Sequence, residues 1–231
     1  MVTKTAADTR ERILEAAAAL LVAEGRDGLS TRAVSAAAGV QPPALYRLFG
    51  DKDGLLDAVA AYGFGEYLAS KRALGSTGDP VEDLRRGWDL HVEFGLARPE
   101  FYVLMYGDAR PGRMSPAARE AEGMLRGIVE RVAEAGRLRV SVDRAARLVH
   151  ATGMGVVLAL IAAPEGERDQ ELSALARENV LSRIIADAAA PAESDLPGRA
   201  IALRAGLAGA VALTEAERVL LAEWLDRIAD A

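Results

Sequence analysis

The sequence contains no cysteine and only two histidines among its 231 residues. Without cysteine, disulfides, thiolate metal sites, zinc fingers and cysteine nucleophiles are excluded. Two histidines offer little for a metal site, so we expect neither a bound metal nor another cofactor. The P-loop and G-x-S-x-G patterns are also absent, and Gly153-Met154-Gly155 falls inside a predicted helix rather than after a strand. These absences argue against an enzyme, and we expect no catalytic residues.

Long hydrophobic runs are missing as well. The longest, at about 151–163, is too short and too rich in glycine to be expected to cross a bilayer. The N-terminal residues show no charged stretch followed by an apolar core, so a signal peptide is not predicted. We therefore expect a cytoplasmic protein without membrane contact.

Excess positive charge is lacking, which would otherwise be an obvious sign of nucleic-acid binding. Residues 1–55 hold seven basic and seven acidic side chains, and the rest of the chain carries the formal net charge of −6. Arg32, Arg47 and Lys52 could still form a locally basic surface. Hydrophobic residues make up 51% of the chain, which is enough for a substantial core.

Helical periodicity is present throughout the chain. We predict an all-α protein with a three-helix, helix-turn-helix domain at 1–55 and a larger helical domain at 56–231. Asp8, Ser30 and Asp51 are predicted N-caps, because their side chains can accept bonds from the first free backbone N–H groups. The predicted helices span about 8–24, 30–37, 42–49, 51–74, 80–97, 99–106, 115–135, 142–163, 169–189, 198–211 and 215–229.

Two short helices joined by a turn at Gly39 lie between Ser30 and Phe49. An amphipathic helix precedes them and a long helix follows, which is the arrangement that places a recognition helix in a DNA major groove. Tight helical hairpins also pack many all-α cores, so the spacing by itself leaves both interpretations open.

The residues of this segment favour DNA binding. The run from Ser30 to Leu56, STRAVSAAAGVQPPALYRLFGDKDGLL, closely resembles the DNA-binding domain of TetR-family transcriptional regulators, and the resemblance covers about residues 9–60. It implies a homodimer whose recognition helices enter successive major grooves of an operator. It also implies a C-terminal domain that binds a small-molecule effector.

The resemblance also implies roles for individual residues. Thr31, Tyr46 and Lys52 would contact phosphates, whereas Arg32, Gln41, Ala44 and Arg47 would face the groove. Pro43, in the first turn of the recognition helix, is a further candidate DNA-binding residue. The sequence departs from the family pattern in three places. Leu48 replaces a common histidine, Ser35 replaces a usual alanine, and Gln41-Pro42 replaces a usual serine-led start. Leu48 and Tyr46 could alternatively serve packing alone.

Aromatic and methionine side chains concentrate in the first half of the larger domain. They predict an apolar pocket with a few polar groups for an effector of unknown identity, although each could equally be plain core. The candidate ligand-binding residues are Trp88, His91, Phe94, Phe101, Tyr102, Met105, Met124, His150 and Met154.

The helices at 142–163 and 169–189 are the predicted dimer interface. Ala151, Gly153 and Gly155 would allow close helix approach. The second helix carries a broad apolar stripe formed by Leu172, Leu175, Ala176, Val180, Ile184 and Ile185. The last two helices, at 198–229, could cover the pocket, extend the interface or cap the core.

The sequence therefore predicts a dimeric, sequence-specific DNA-binding repressor that is released from its operator by an apolar or amphipathic ligand. Two other classes remain as alternatives. The first is an enzyme, for which no motif was found. The second is a helical interaction module that has lost DNA binding, which an acidic or buried recognition helix would favour.

Overall fold

The computed structural model describes residues 2–107, 114–186 and 196–230, with only the backbone described at 2–6 and 208. These residues form α-helices and short 3₁₀ turns, and they contain no β-strand, which confirms the predicted all-α class. The helices are α1 (Val2–Glu24), α2 (Thr31–Ala37), α3 (Pro42–Phe49), α4 (Lys52–Ala73), α5 (Pro80–Ala97), α6 (Pro99–Tyr106), α7 (Pro116–Glu134), α8 (Val142–Ala162), α9 (Leu172–Ile184), α10 (Leu196–Gly206) and α11 (Glu215–Ala229).

Several helices begin at a side-chain cap, and the cap at Ser30 is one that the sequence predicts. The Ser30 hydroxyl accepts a hydrogen bond from the Ala33 N–H at 3.1 Å, and Ser141 caps α8 in the same way. Thr214 and Glu217 form a reciprocal capping box at the start of α11. Because a cap depends on only a few neighbouring residues, such helix boundaries can be predicted from the sequence.

The first helix begins earlier than predicted. Asp8 was expected as its N-cap, but α1 starts at Val2 and Asp8 lies inside the helix. The preceding residues 3–7 contain neither proline nor glycine and include two alanines, so nothing in them stops the helix from extending towards the N-terminus.

The ninth helix is shorter than the predicted 169–189, since it begins at Leu172 and ends at Ile184. Ile185 instead forms an isolated antiparallel bridge with Leu138. The Arg139 N–H donates to the Ile184 carbonyl at 2.8 Å, and the Ala186 N–H donates to the Arg137 carbonyl at 2.9 Å. This non-local pairing replaces the next helical turn. Residues 187–189 of the predicted ninth helix lie outside the described residues, as do residues 108–113 of the loop predicted at 107–113.

The tenth helix also differs from its predicted span of 198–211. It begins at Leu196 and ends at Gly206, and a 3₁₀ turn, Leu207–Gly209, follows it. α10 packs against α11. A glycine at 206 weakens the α-helix at that point, where the tighter turn takes over.

The chain divides into two compact units. Unit 1 comprises Met1–Ala73 and Glu93–Glu120, and unit 2 comprises Leu74–Val92 and Ala121–Ala231. This division describes packing, and the functional boundary at residue 55 stays a prediction.

The core of unit 1 lies between α1, α2, α3 and α4, with residues of α6 packed against it. Its buried side chains come from each of these helices and include Ile13, Val34, Leu45, Leu55, Val59 and Phe101. At Gly63 of α4, an added Cβ would lie 2.0 Å from the Phe101 ring. Glycine is therefore required there for the close approach of α6 to α4.

Unit 2 combines an apolar core with a buried carboxylate. Asp83 is 1% exposed and accepts hydrogen bonds from the Ser76 hydroxyl, the Thr77 N–H and hydroxyl, and Arg131. Burial alone raises the pKa of Asp83, but the hydrogen bonds outweigh burial and lower that pKa to about 2. Asp83 thereby fixes the loop that precedes α5.

α8 is the one helix, among the described residues, that is long and apolar enough to cross a membrane by length and composition. It extends well beyond the 151–163 run on which the sequence prediction rested. A core helix has the same properties, and seven α8 residues are buried inside unit 2, where α8 packs against α9.

Candidate DNA-binding surface

The second and third helices are held by a glycine turn that the sequence predicted. Gly39 adopts φ +64°, a left-handed conformation that favours glycine. Pro42 and Pro43 then occupy the first turn of α3, where a missing N–H has no intrahelical partner to lose. Leu45 is fully buried and anchors α3 to the core.

One side of α3 faces solvent. Tyr46 is 50% exposed, and Gln41, Pro43 and Arg47 are exposed as well, whereas Ala44 is half-buried. The helix contains no acidic residue. The exposed side chains can therefore reach an external partner, and the hydroxyl of Tyr46 is placed as a surface group rather than a core one.

The start of α2 lies in the same domain. Thr31 is its first residue and is half-buried, while Arg32, the second, is exposed. Ser30 caps the helix, which leaves the Thr31 hydroxyl available at a helix N-terminus. Hydroxyl and guanidinium groups at such a position suit a phosphate oxygen.

The turn from α3 to α4 presents a further cation. Gly50 has φ +79°, and its N–H donates to the Tyr46 carbonyl at 2.8 Å. Asp51 then accepts a bond from the Gly54 N–H at 2.7 Å and caps α4. Lys52 is exposed in the first turn of α4. The helix dipole and the lysine charge both favour an anion at this point.

We refer to these residues together as the α2–α3 surface, which comprises Thr31, Arg32, Gln41, Pro43, Ala44, Tyr46, Arg47 and Lys52. Within the part of the chain that the structure describes, its three cations, Arg32, Arg47 and Lys52, form no ion pair with an acidic side chain. Their charges are thus not neutralised internally.

Two departures from the family pattern have structural consequences. Leu48 is half-buried and packs against the core of unit 1, so its packing role is the one observed. Ser35 is 3% exposed, and its hydroxyl has no hydrogen-bond partner among the described residues. A hydroxyl buried in this way costs free energy that alanine would not.

Four of the predicted ligand-binding residues lie in unit 1. Phe94 packs on the rings of Phe64 and Tyr67, with centroids 4.6 and 4.7 Å away. Tyr102 is fully buried, with its ring 4.9 Å from that of Tyr106. The other two, Phe101 and Met105, pack against the core shared with α1 and α4.

Phe64, Tyr67 and Lys71 lie beside these residues but are not among the candidates predicted from the sequence. Burial raises the pKa of Tyr67 above its ordinary value, and neighbouring Tyr106 adds to the effect. The Lys71 amine lies 5.4 Å from the Tyr67 ring centroid, and burial lowers the pKa of Lys71 to about 8. The i, i+3 and i+4 spacing of 64, 67 and 71 on one helix was the available signal.

The other five predicted ligand-binding residues lie in unit 2. Trp88 is buried and its indole N–H donates to the Ser173 hydroxyl at 3.1 Å. Trp88 and His91 both lie beside Gly153, where an added Cβ would be 3.5 Å from each side chain. Met124, His150 and Met154 are half-buried. A ligand-binding role for either set stays a prediction.

Open clefts occur elsewhere in unit 2. A charged cleft of about 240 Å³ is lined by residues that include Arg126, Asp143, Arg204 and Asp226. An apolar one lies between Leu196, Pro197, Trp224, Arg227 and Ile228. Neither includes a predicted ligand-binding residue. Among the described residues, no group of three or more histidine or acidic side chains could hold a metal.

Sequence comparison decides the family. The profile of the bacterial regulatory proteins of the tetR family matches residues 13–59, which span α1 to the first part of α4. Residues 13–59 therefore form a TetR-type DNA-binding domain, and the chain is a DNA-binding transcriptional regulator of this type. No curated protein gave a significant match to the chain.

Solved structures share the fold of this chain. A protein of unknown function from Rhodococcus sp. RHA1 is 27% identical, with TM-score 0.61, and the match covers 77% of this chain and 96% of that one. A TetR-family regulator from Pectobacterium atrosepticum is 22% identical, with TM-score 0.61 and coverages of 80% and 97%. SmeT, the repressor of the Stenotrophomonas maltophilia multidrug efflux pump SmeDEF, is 24% identical, with TM-score 0.59 and coverages of 78% and 91%.

Proposed function

We propose that the protein is a cytoplasmic homodimeric repressor that binds operator DNA through the α2–α3 surface and leaves it when a small apolar or amphipathic ligand binds. The observation that carries the DNA-binding part is the set of exposed cations, Arg32, Arg47 and Lys52, without acidic partners among the described residues. Phosphates would supply the missing counter-charges. SmeT is itself described as a repressor.

The surface divides into two proposed classes of contact. Thr31 and Lys52 are the first residues of α2 and α4, and Tyr46 is exposed on α3. These three would bind phosphates, which position the protein without specifying sequence. Arg32, Gln41 and Arg47 would face base edges, with the arginines suited to guanine and Gln41 to adenine. Ala44 could contact a thymine methyl group, and Pro43 would lie beside the same groove.

The interaction-module alternative is less well supported. It would be favoured by an acidic or buried recognition helix, whereas α3 has an exposed side and contains no acidic residue. Because α3 has no acidic residue, it also lacks the negative charge that would attract a positively charged protein partner. We therefore retain double-stranded DNA as the proposed macromolecular partner.

Selection from a random duplex pool by the full-length protein tests this proposal. A palindromic product with half-sites about 34–36 Å apart would support a dimer that reads successive major grooves. Lys52→Ala and Tyr46→Phe should then weaken binding to every duplex equally. Arg47→Ala and Gln41→Ala should relax preference at particular bases by about 1–3 kcal/mol. Failure to enrich any sequence would contradict specific binding.

The dimer proposal rests on α8 and α9. Leu148, Ala151 and Gly155 lie along one exposed side of α8, and Leu175 of α9 is 63% exposed. Two residues of the predicted stripe, Val180 and Ile184, are used internally because they are buried. Gly153 is also buried. The proposed interface is therefore narrower than the sequence suggested.

Light scattering would measure the mass of the protein in solution. The wild type should give twice 24.4 kDa, and Leu148→Glu should give the monomer mass, because a buried unpaired carboxylate is costly. Val103→Glu is the matched control, since Val103 and Leu148 are 40% and 41% exposed. A wild-type mass of 24.4 kDa at micromolar concentration would contradict the proposal.

The ligand proposal rests on the aromatic clusters within each unit. Tyr67, Phe94 and Tyr102 in unit 1, and Trp88 with His91 in unit 2, provide polarizable surfaces with few polar groups. The protein has two tryptophans, so Trp224→Phe would leave Trp88 as the one indole reporter. A ligand that changes Trp88 fluorescence should also weaken DNA binding. If it binds without changing DNA affinity, the proposed coupling is wrong.

A further inference from the structure

Arg10 lies outside the predicted DNA-binding residues but contacts the recognition helix. It is an exposed residue of α1. Its guanidinium carbon lies 5.4 Å from the centroid of the Phe49 ring, and Phe49 is the last residue of α3. Within the described residues, this ring contact is the one interaction recorded for Arg10, and it has no acidic partner.

Phe49 is a firm platform for this arginine. It is half-buried and packs against the core of unit 1, so its ring is fixed relative to α3. A guanidinium that lies over an aromatic ring keeps N–H donors at the edge of its plane free for a second partner. An exposed cation–π contact is also weak and does not neutralise the charge. The contact therefore favours a position of Arg10 beside α3 while its charge stays available.

The contact between Arg10 and Phe49 lies next to the proposed phosphate site in the sequence of the turn between α3 and α4. Phe49 precedes Lys52 by three residues, so their backbones are at most about 11 Å apart. Lys52 and the N-terminus of α4 are the part of the surface proposed to hold a phosphate. A cation fixed beside them is within reach of the same sugar-phosphate backbone.

We propose that Arg10 is a further DNA contact, in which its guanidinium, positioned by Phe49, binds a backbone phosphate. α1 would then take part in the DNA interface as well as in the core. This inference rests on the proposed DNA-binding function. A phosphate suits this role because two of its oxygens can accept parallel hydrogen bonds from one guanidinium.

The test is the salt dependence of DNA affinity, measured with the full-length protein, its selected duplex and a random-sequence duplex of equal length. Arg10→Gln should weaken binding to both duplexes by about three- to tenfold and reduce the steepness of log Kd against log salt by about 0.9 per bound copy. Arg10→Lys should keep the wild-type steepness. A merely structural arginine would leave the steepness unchanged in every variant.

Arg12→Gln is the matched control. Arg12 is also exposed on α1 and has no ion pair among the described residues, but two residues along a helix turn it about 200° away from Arg10. It should keep the wild-type steepness. An equal loss in Arg12→Gln would show a general charge effect and overturn the inference.

A second measurement tests the role of Phe49. In a Phe49→Leu background, Arg10→Gln should cost less affinity than in the wild type, because the arginine is no longer positioned. Equal costs would contradict positioning by the ring. If the wild type shows no salt-dependent DNA binding, the proposed function itself fails. If the wild type does and Arg10→Gln retains its steepness, the inference about Arg10 alone fails.

Discussion

The α2–α3 surface and unit 2 use their positive charges in opposite ways. In unit 2, the arginines that lie within ion-pair distance of aspartate or glutamate include Arg85, Arg86, Arg126, Arg131, Arg137, Arg144, Arg177, Arg204 and Arg218. On the α2–α3 surface, the described residues give Arg32, Arg47 and Lys52 no such partner. Net charge hides this difference, since an acidic chain can still bind an anion locally.

The two regions therefore differ in whether their cations are paired within the fold or are able to bind an anionic ligand. A cation already paired within the chain must break that pair before it can hold a phosphate. An unpaired one has no such cost, and it contributes little to folding because it is solvated. Substitutions in the two regions should therefore change different measured quantities.

The largest expected effect concerns the apolar packing of unit 1, where, among the described residues, no charged group is involved in the contact between α4 and α6 at Gly63. Gly63→Ala would place a methyl group against the Phe101 ring and should lower the free energy of unfolding by about 3 kcal/mol. Gly65→Ala is the control on the same helix, because an added Cβ there meets no atom within 4 Å. This variant should raise the free energy of unfolding by about 0.5–1 kcal/mol. Urea unfolding measures both variants, and equal effects would contradict the close packing of Phe101 on Gly63.

The next effect tests whether the ion pairs of unit 2 are structural. Asp83→Asn removes the buried charge that faces Arg131, with 2.8 Å between Arg131 Nη2 and Asp83 Oδ2, and should cost about 2–3 kcal/mol at pH 7. DNA affinity per folded molecule should stay unchanged.

The pH dependence of the same variant has a defined sign. The pKa of Asp83 is about 2 in the folded protein, below its ordinary value of 3.8. The ionised Asp83 carboxylate therefore contributes to the free energy of unfolding above about pH 4, and this contribution is lost as the pH falls through the folded pKa. The stability difference between wild type and Asp83→Asn should shrink between about pH 4 and pH 2. A constant difference would rule out the carboxylate charge as its cause.

A smaller effect is expected at the buried hydroxyl of the N-terminal domain. Ser35→Ala removes an oxygen that has no hydrogen-bond partner among the described residues and should raise the free energy of unfolding by up to about 1 kcal/mol. Ser30→Ala is the contrasting variant, because that hydroxyl caps α2, and should lower it by about 1 kcal/mol. Thermal unfolding would compare the two, and a loss of stability in Ser35→Ala would indicate a partner for this hydroxyl.

Local features of the fold could be predicted from the sequence, whereas long-range ones could not. Ser30, Gly39 and Pro42 set the boundaries of α2 and α3 through caps, a left-handed turn and a proline, each of which acts within a few residues. The end of α9 depends instead on the pairing of Ile185 with Leu138. No local pattern carries that information, and the predicted helix ran too far.

The same limit applied to the candidate site. Exposed residues of α2 and α3 were identified because a family pattern names their positions. The contact between Arg10 and Phe49 joins residues far apart in the chain, and so does the pairing of Arg85 with Glu178. Whether a cation is paired therefore emerged only from the structure, and this property distinguishes the two regions.

The salt dependence of DNA binding by Lys52→Ala tests the central claim most directly, with Arg218→Ala as the paired-cation control from unit 2, where Arg218 binds Glu215 at 2.6 Å. We predict a steep rise of log Kd with log salt for the wild type, a rise less steep by about 0.9 per bound copy for Lys52→Ala, and the wild-type steepness for Arg218→Ala. A wild-type Kd independent of salt, or the same loss of steepness in both variants, would contradict the account.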